Sequence, residues 1–123
     1  MVKTFQDLVV WQKAHVMVLM VYRITPNFPS SERFGITSQL QRSSSSVAAN
    51  IAEGFAQESK KSFLNYLSHS RGSLEETKYH LLLARDLGYL QIDQYNTIVE
   101  TCDEVGRLLH GMMESVRRQV TDV

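Results

Sequence analysis

The chain holds one cysteine, Cys102, in 123 residues, which excludes an internal disulfide and suits a reducing cytosol. Proline occurs twice, at Pro26 and Pro29 in one short segment, and no glycine precedes Gly35. No run of about eighteen apolar residues exists, so no membrane span is expected. MVKTFQDL at the start lacks a charged region followed by a continuous apolar one, so a signal peptide is not expected either. The expected address is the cytoplasm, with no membrane partner. Strand signals are missing, because no segment alternates with period two between hairpin turns. Charge of one sign is also missing: 13 basic residues balance 13 acidic ones, so only a local patch can serve a nucleic acid. The balance is uneven along the chain. Residues 1–29 carry Lys3, Lys13 and Arg23 against Asp7, whereas residues 89–123 carry Arg107, Arg117 and Arg118 against Asp93, Glu100, Asp103, Glu104, Glu114 and Asp122.

The signatures of catalysis are missing too. A di-iron carboxylate bundle needs two Glu-x-x-His pairs, and none occurs; the nearest approach is Glu76 with His80. His15, His69, His80 and His110 show no metal-ligand spacing. There is no Gly-rich phosphate loop, and the Ser43–Ser46 run has neither a Gly-x-Ser-x-Gly elbow nor an evident base. Cys102 sits at a core position of its helix and reads as a buried thiol, not a nucleophile. No catalytic residue, metal or cofactor is expected, and the chain reads as a non-enzyme.

What is present is helical periodicity throughout. Four helices are expected, at about 7–25, 32–56, 60–87 and 92–120, in one domain over 1–123. Asp7 is the expected N-cap of the first, Ser30 or Ser31 of the second and Ser59 of the third, with Gly88 ending the third in the left-handed region. In the third helix Phe63, Leu67, Ser70, Leu74, Thr77, Leu81 and Ala84 keep a heptad spacing. In the fourth, Ile92, Tyr95, Val99, Cys102, Gly106, Leu109, Met113 and Val116 do the same, widened by Ile98, Val105, Leu108 and Met112. Short connections between such helices give an all-α, antiparallel, up-and-down left-handed four-helix bundle.

The second helix organises the rest. Ile36, Leu40, Val47 and Ile51 form an apolar stripe; Gln39, Arg42, Ser46, Asn50 and Glu53 form a polar one; small Ser and Ala residues fill the space between. One charge of each sign among amides and hydroxyls suggests a buried, internally paired stripe. The expected structural network joins Gln39, Arg42, Ser46, Asn50 and Glu53 to Arg71 and Glu75, with Arg42 pairing to Glu53 or Glu75. Removing one partner of such a buried pair would cost ~3–5 kcal/mol.

The first helix is apolar nearly all round. Leu8, Trp11, His15, Val18 and Tyr22 make one seam and Val10, Ala14, Met17, Val21 and Ile24 a second, while Val9, Val16, Leu19 and Met20 add apolar surface outside both. A monomeric bundle needs only one stripe per helix, so Val9, Val16 and Met20 are the expected oligomer interface. Lys13, Arg23, Lys60, Lys61, Lys78 and Arg85 are the candidate nucleic-acid contacts, which a symmetric assembly would repeat around a ring.

Several segments resemble a known family: FQDLVVWQKA (5–14), YRITPNFP (22–29), ERFGITSQLQRS (32–43), NIAEG (50–54), FLNYL (63–67), RGSLEET (71–77) and LGYL (87–90). Over about residues 4–115 the chain resembles the 23S rRNA intervening-sequence proteins, with NIAEG and GSLE the most specific parts. It is also similar to the accessory protein of diversity-generating retroelements. The resemblance implies a left-handed up-and-down bundle assembling with itself into a ring of five. The retroelement likeness implies association with nucleic acid and a reverse transcriptase, from a basic bundle; this chain departs from it in being neutral. The sequence as a whole points to a non-enzymatic oligomeric scaffold or accessory protein for RNA or ribonucleoprotein. The alternative is an adaptor ring that binds a protein partner and no nucleic acid.

Overall fold

The computed structural model describes residues 1–121; Asp122, counted above in the acidic C-terminal segment, lies outside the described residues. Among these residues the chain is all helical: α1 Val9–Ile24, α2 Ile36–Phe55, α3 Lys60–Asp86 and α4 Ile92–Thr121, with 3₁₀ turns at Phe5–Asp7, Thr25–Asn27 and Ser30–Glu32. Successive helices pack on one another and α4 closes on α1, with α2 and α3 sharing the most extensive interface. Partners run in opposite order along each pair. Ser43 meets Thr77 while Val47 meets Ser70. Lys78 meets Asp103 while Arg85 meets Tyr95. Met20 shares a groove with Thr97 while Val9 shares one with Leu108. Each neighbouring pair is therefore antiparallel, and the fold is a four-helix bundle.

The core is drawn from one stripe of each helix. Along α1 it is Val10, Ala14, Met17 and Val21; the other seam keeps Leu8 buried but leaves His15 and Tyr22 exposed, with Trp11 stacked on His15 at 4.9 Å. Ile36, Leu40, Val47 and Ile51 of α2 and all seven seam residues of α3 are buried. The seam of α4 departs from the strict heptad. Ile92 is 62% exposed and Tyr95 and Val99 are half-buried, while Ile98 and Val105 enter the core with Cys102, Leu109, Met113 and Val116. A straight helix turns every 3.6 residues, so over thirty residues its buried stripe drifts away from a 3.5-residue repeat.

Two caps differ from expectation. Asp7 does not cap α1: Leu8 holds that position, and the 3₁₀ turn points the Asp7 carboxylate backward to accept the amides of Lys3 and Thr4 at 2.8 and 3.0 Å. Those bonds to the ionised form hold its pKa below 3.8. Ser30 and Ser31 belong to a 3₁₀ turn, and α2 starts only at Ile36, behind Gly35. A Cβ on Gly35 would lie 2.5 Å from Oε1 of Glu32, so the Glu32 carboxylate stands over the start of α2, where the helix dipole favours negative charge. Ser59 does accept the amide of Ser62 at the start of α3, and Gly88 ends that helix with φ 80°. Leu90 is buried behind it, and the Tyr89 hydroxyl donates to Glu32 at 2.9 Å, tying the α3–α4 connection to the α1–α2 connection.

Candidate functional site

The α2/α3 seam is built from small residues and hydroxyls. A serine buried in a helix has to give its proton to an acceptor, either in its own helix or across the seam. Here Ser43 donates to Leu40 O at 3.3 Å and Ser44 to Gln41 O at 3.2 Å. Across the seam Ser70 donates to Val47 O at 2.8 Å, and the Thr77 hydroxyl lies 3.0 Å from that of Ser43 and 2.8 Å from Ser73 O. Nearer the surface Ser46 and Ser73 share a bond of 2.9 Å, and Asn50 donates to both the carbonyl and the hydroxyl of Ser46. Gly54 closes the seam: a Cβ there would sit 2.8 Å from Tyr66 Cβ and 2.9 Å from Phe63 Cδ1.

The polar stripe of α2 is thus less buried than its composition suggested. Ser46 and Asn50 are half-buried, but Gln39, Arg42 and Glu53 are exposed, as are Arg71 and Glu75 of α3. Arg42 pairs with Glu76, and with Gln39 at 2.9 Å, instead of with Glu53 or Glu75. With 57% of the Arg42 side chain exposed, this pair belongs to the class worth ~0–1 kcal/mol, not to buried ion pairs. Glu76 also lies 3.4 Å from His80 Nε2, and His80 Nδ1 is buried with no hydrogen-bond partner. Ser43, Ser70, Ser73, Thr77 and Glu76 are the members that the sequence reading missed. The serine and threonine at seam positions of the third helix, facing the serine run of the second, were the available signal.

The candidate cations divide into two sets. Lys13 lies 3.3 Å from Glu104; Lys78 lies 3.2 Å from Asp103 and 3.8 Å from Glu75; Arg85 lies 3.0 Å from Asp86 and places its guanidinium 4.6 Å from the Tyr95 ring centre. The hydrogen bond to Asp103 raises the Lys78 pKa above 10.5. Arg23, Lys60 and Lys61 are exposed and form no ion pair with any described residue. On α1, Val9 is 57% and Val16 44% exposed and Leu19 is exposed, so these three lie outside the core, while Met20 is half-buried and packs against its edge.

Among the described residues no three His, Cys, Asp or Glu side chains come together as metal ligands, and no helix is long and apolar enough to cross a membrane. Burial pushes the Cys102 thiol up to about 12, with the Asp103 charge adding to it, so the reactive thiolate is suppressed.

Residues 6–111 match the family described as 23S rRNA-intervening sequence protein. A solved structure from Bacteroides thetaiotaomicron, a protein of unknown function from the S23 ribosomal protein family, superposes with a TM-score of 0.80. It is 26% identical, and the match covers 85% of this chain and 98% of that one. No curated protein matches. The model match spans most of the bundle, including the whole α2/α3 seam: the chain belongs to the 23S rRNA-intervening sequence protein family.

Proposed function

We propose that the protein is a non-enzymatic, cytoplasmic scaffold or accessory factor for RNA or ribonucleoprotein that works as a homo-oligomeric ring. The observation that carries the reading is the outer row of α1. Val9, Val16 and Leu19 are exposed beside half-buried Met20, although the bundle already has a complete core. Apolar surface in a row along one helix is what a subunit interface requires. The family resemblance supplies both the RNA side of the reading and the ring of five, and the likeness to the retroelement accessory protein adds association with nucleic acid. Candidate contacts are Lys13, Arg23, Lys60, Lys61, Lys78 and Arg85, each repeated by the symmetry of the ring.

A protein-binding adaptor ring is the second reading. It is favoured by the engagement of Lys13, Lys78 and Arg85 with groups of their own chain, which leaves fewer charges for phosphate.

Size-exclusion chromatography with light scattering, on protein purified without nuclease, tests both. A ring-sized mass with excess absorbance at 260 nm that is lost at high salt is the expected result. A ring free of nucleic acid at every salt supports the adaptor. Val16→Glu or Met20→Glu is expected to reduce the mass to that of one chain with unchanged helical circular dichroism; an intact oligomer in both overturns the α1 interface.

A further inference from the structure

One aromatic side chain stands in solvent where the bundle has no use for it. Phe34 is 86% exposed, more than any other large apolar residue described except Met1. It does not sit on a loose segment. Its neighbours Arg33 and Gly35 donate their amides to Ser30 O at 3.2 Å and Glu32 O at 2.9 Å, and the Glu32 carboxylate accepts the Tyr89 hydroxyl. The Arg33 guanidinium lies 5.5 Å from the centre of the ring and still leaves it open. The ring is thus held out in advance, so docking it costs little ordering of the backbone.

The same end of the bundle carries a receptor of matching chemistry. Between the end of α1 and the start of α4 lies a groove of about 330 Å³, lined by apolar Met20, Ile24 and Ile98 together with Gln94 and Thr97. A cavity of ~150 Å³ already accepts a benzene ring. Phe34 of the same chain does not line this groove; it precedes α2, which packs on α1 and α3 and lies diagonal to α4. The groove also holds Arg23 and Asp93, one charge of each sign. Asp93 forms no ion pair with any described residue, and neither does Arg33 beside Phe34. Met20 belongs both to the groove and to the outer row of α1, so the groove continues the interface proposed above.

We propose that Phe34 of one copy seats in the α1/α4 groove of the next copy, with Arg33 pairing to Asp93 of that copy. This rests on the ring reading and says which surfaces meet. The knob and the groove are different patches, so the contact is head-to-tail, each copy giving one phenyl ring and receiving one. The bond from Tyr89 to Glu32 ties the segment before Phe34 to the connection that leads into α4, which sets knob and groove at one end of the bundle. A copy turned about an axis parallel to the bundle then offers its groove at the height of the knob. Rotation with little shift along the axis closes a ring, whereas a shift would build a filament.

The first test is sedimentation velocity over a concentration series. Phe34→Ser and, in the groove, Thr97→Lys both alter exposed positions and are expected to keep wild-type helical circular dichroism. Each should raise the dissociation constant of the assembly at least about thirtyfold, the scale of a buried aromatic anchor. The second test is crosslinking of Arg33→Cys/Gln94→Cys, with Phe34 retained, by a short bis-maleimide. Denaturing gels should show covalent species of three or more chains, and neither single variant should crosslink, because Cys102 is buried. Phe34→Ser that assembles as wild type does overturns this contact and leaves the ring to the Val16 and Met20 variants. Wild type with the mass of one chain overturns both the contact and the ring. Crosslinks that stop at two chains overturn the head-to-tail arrangement in favour of a two-fold pair. Loss of assembly in Phe34→Ser without any crosslink overturns the groove as its receptor.

Discussion

At the scale of single residues, Gly54 and Gly72 show why a glycine in a helix has to be read from what surrounds it. Both lie inside helices, where replacing Gly by Ala is worth ~0.5–1 kcal/mol in backbone entropy. At Gly72 an added Cβ meets nothing within 4 Å, so Gly72→Ala should gain that amount. At Gly54 it would meet Tyr66 Cβ at 2.8 Å, an atom fixed to the backbone of α3 that no rotamer change can withdraw. Overpacking of that kind costs ~1–3 kcal/mol and outweighs the entropy gain. Urea titration of both variants should show Gly54→Ala less stable than wild type by about 1–2 kcal/mol and Gly72→Ala more stable. A stabilised Gly54→Ala protein would show that α2 and α3 are not so closely apposed.

At the scale of elements, the bundle depends on its connections as well as its seams, and Tyr89 joins two of them. Its hydroxyl donates to Glu32, which raises its pKa above the ordinary 10.0, since losing the proton would break the bond and set two anions together. A group whose folded pKa is raised contributes stability that is full below its unfolded pKa and is lost as pH rises through the folded value. Tyr89→Phe should therefore melt below wild type at pH 8, and the gap should close above pH 10.0. A gap independent of pH would show that the bond to Glu32 does not account for the difference, since the ring that packs on Phe28 is the same in both proteins.

Elements are also where the legibility of the sequence changes. The seam of α3 was readable because its heptad spacing is unbroken, and all seven of its positions are buried. The partner of Arg42 was not. Glu75 and Glu76 lie between the seam residues Leu74 and Thr77, so one turns toward α4 and the other toward α2. Only the hand of the bundle decides which. In the fold Glu76 meets Arg42, and Glu75 stands near Lys78 on the α4 side. The starts of α1 and α2 were misread for a different reason: a carboxylate or serine that suits a helix cap also suits a 3₁₀ turn, and local sequence alone does not separate the two.

For the whole molecule, the question that governs both proposals is whether the bundle stands without its assembly. The buried apolar set runs from Leu8 to Val116 through all four helices, and Val16 is not part of it. Folding should thus be independent of the α1 interface, in contrast to obligate oligomers whose stability depends on protomer concentration. Cys102 reports on this directly. Its thiol is fully buried and its pKa is pushed up to about 12, so a thiol reagent reaches it only when α3 and α4 part. With domain stabilities of about 5–15 kcal/mol, labelling at pH 8 should run at least about a hundredfold slower than for a free thiol, even if a partial opening suffices. The same protection, within about threefold, is expected in Val16→Glu, because a charge on an exposed position leaves surface stability within about 0.5 kcal/mol. Rapid labelling of wild type would remove Cys102 from the core. Rapid labelling of the variant alone would make assembly a condition of folding, and the α1 row would then complete the core instead of joining finished bundles.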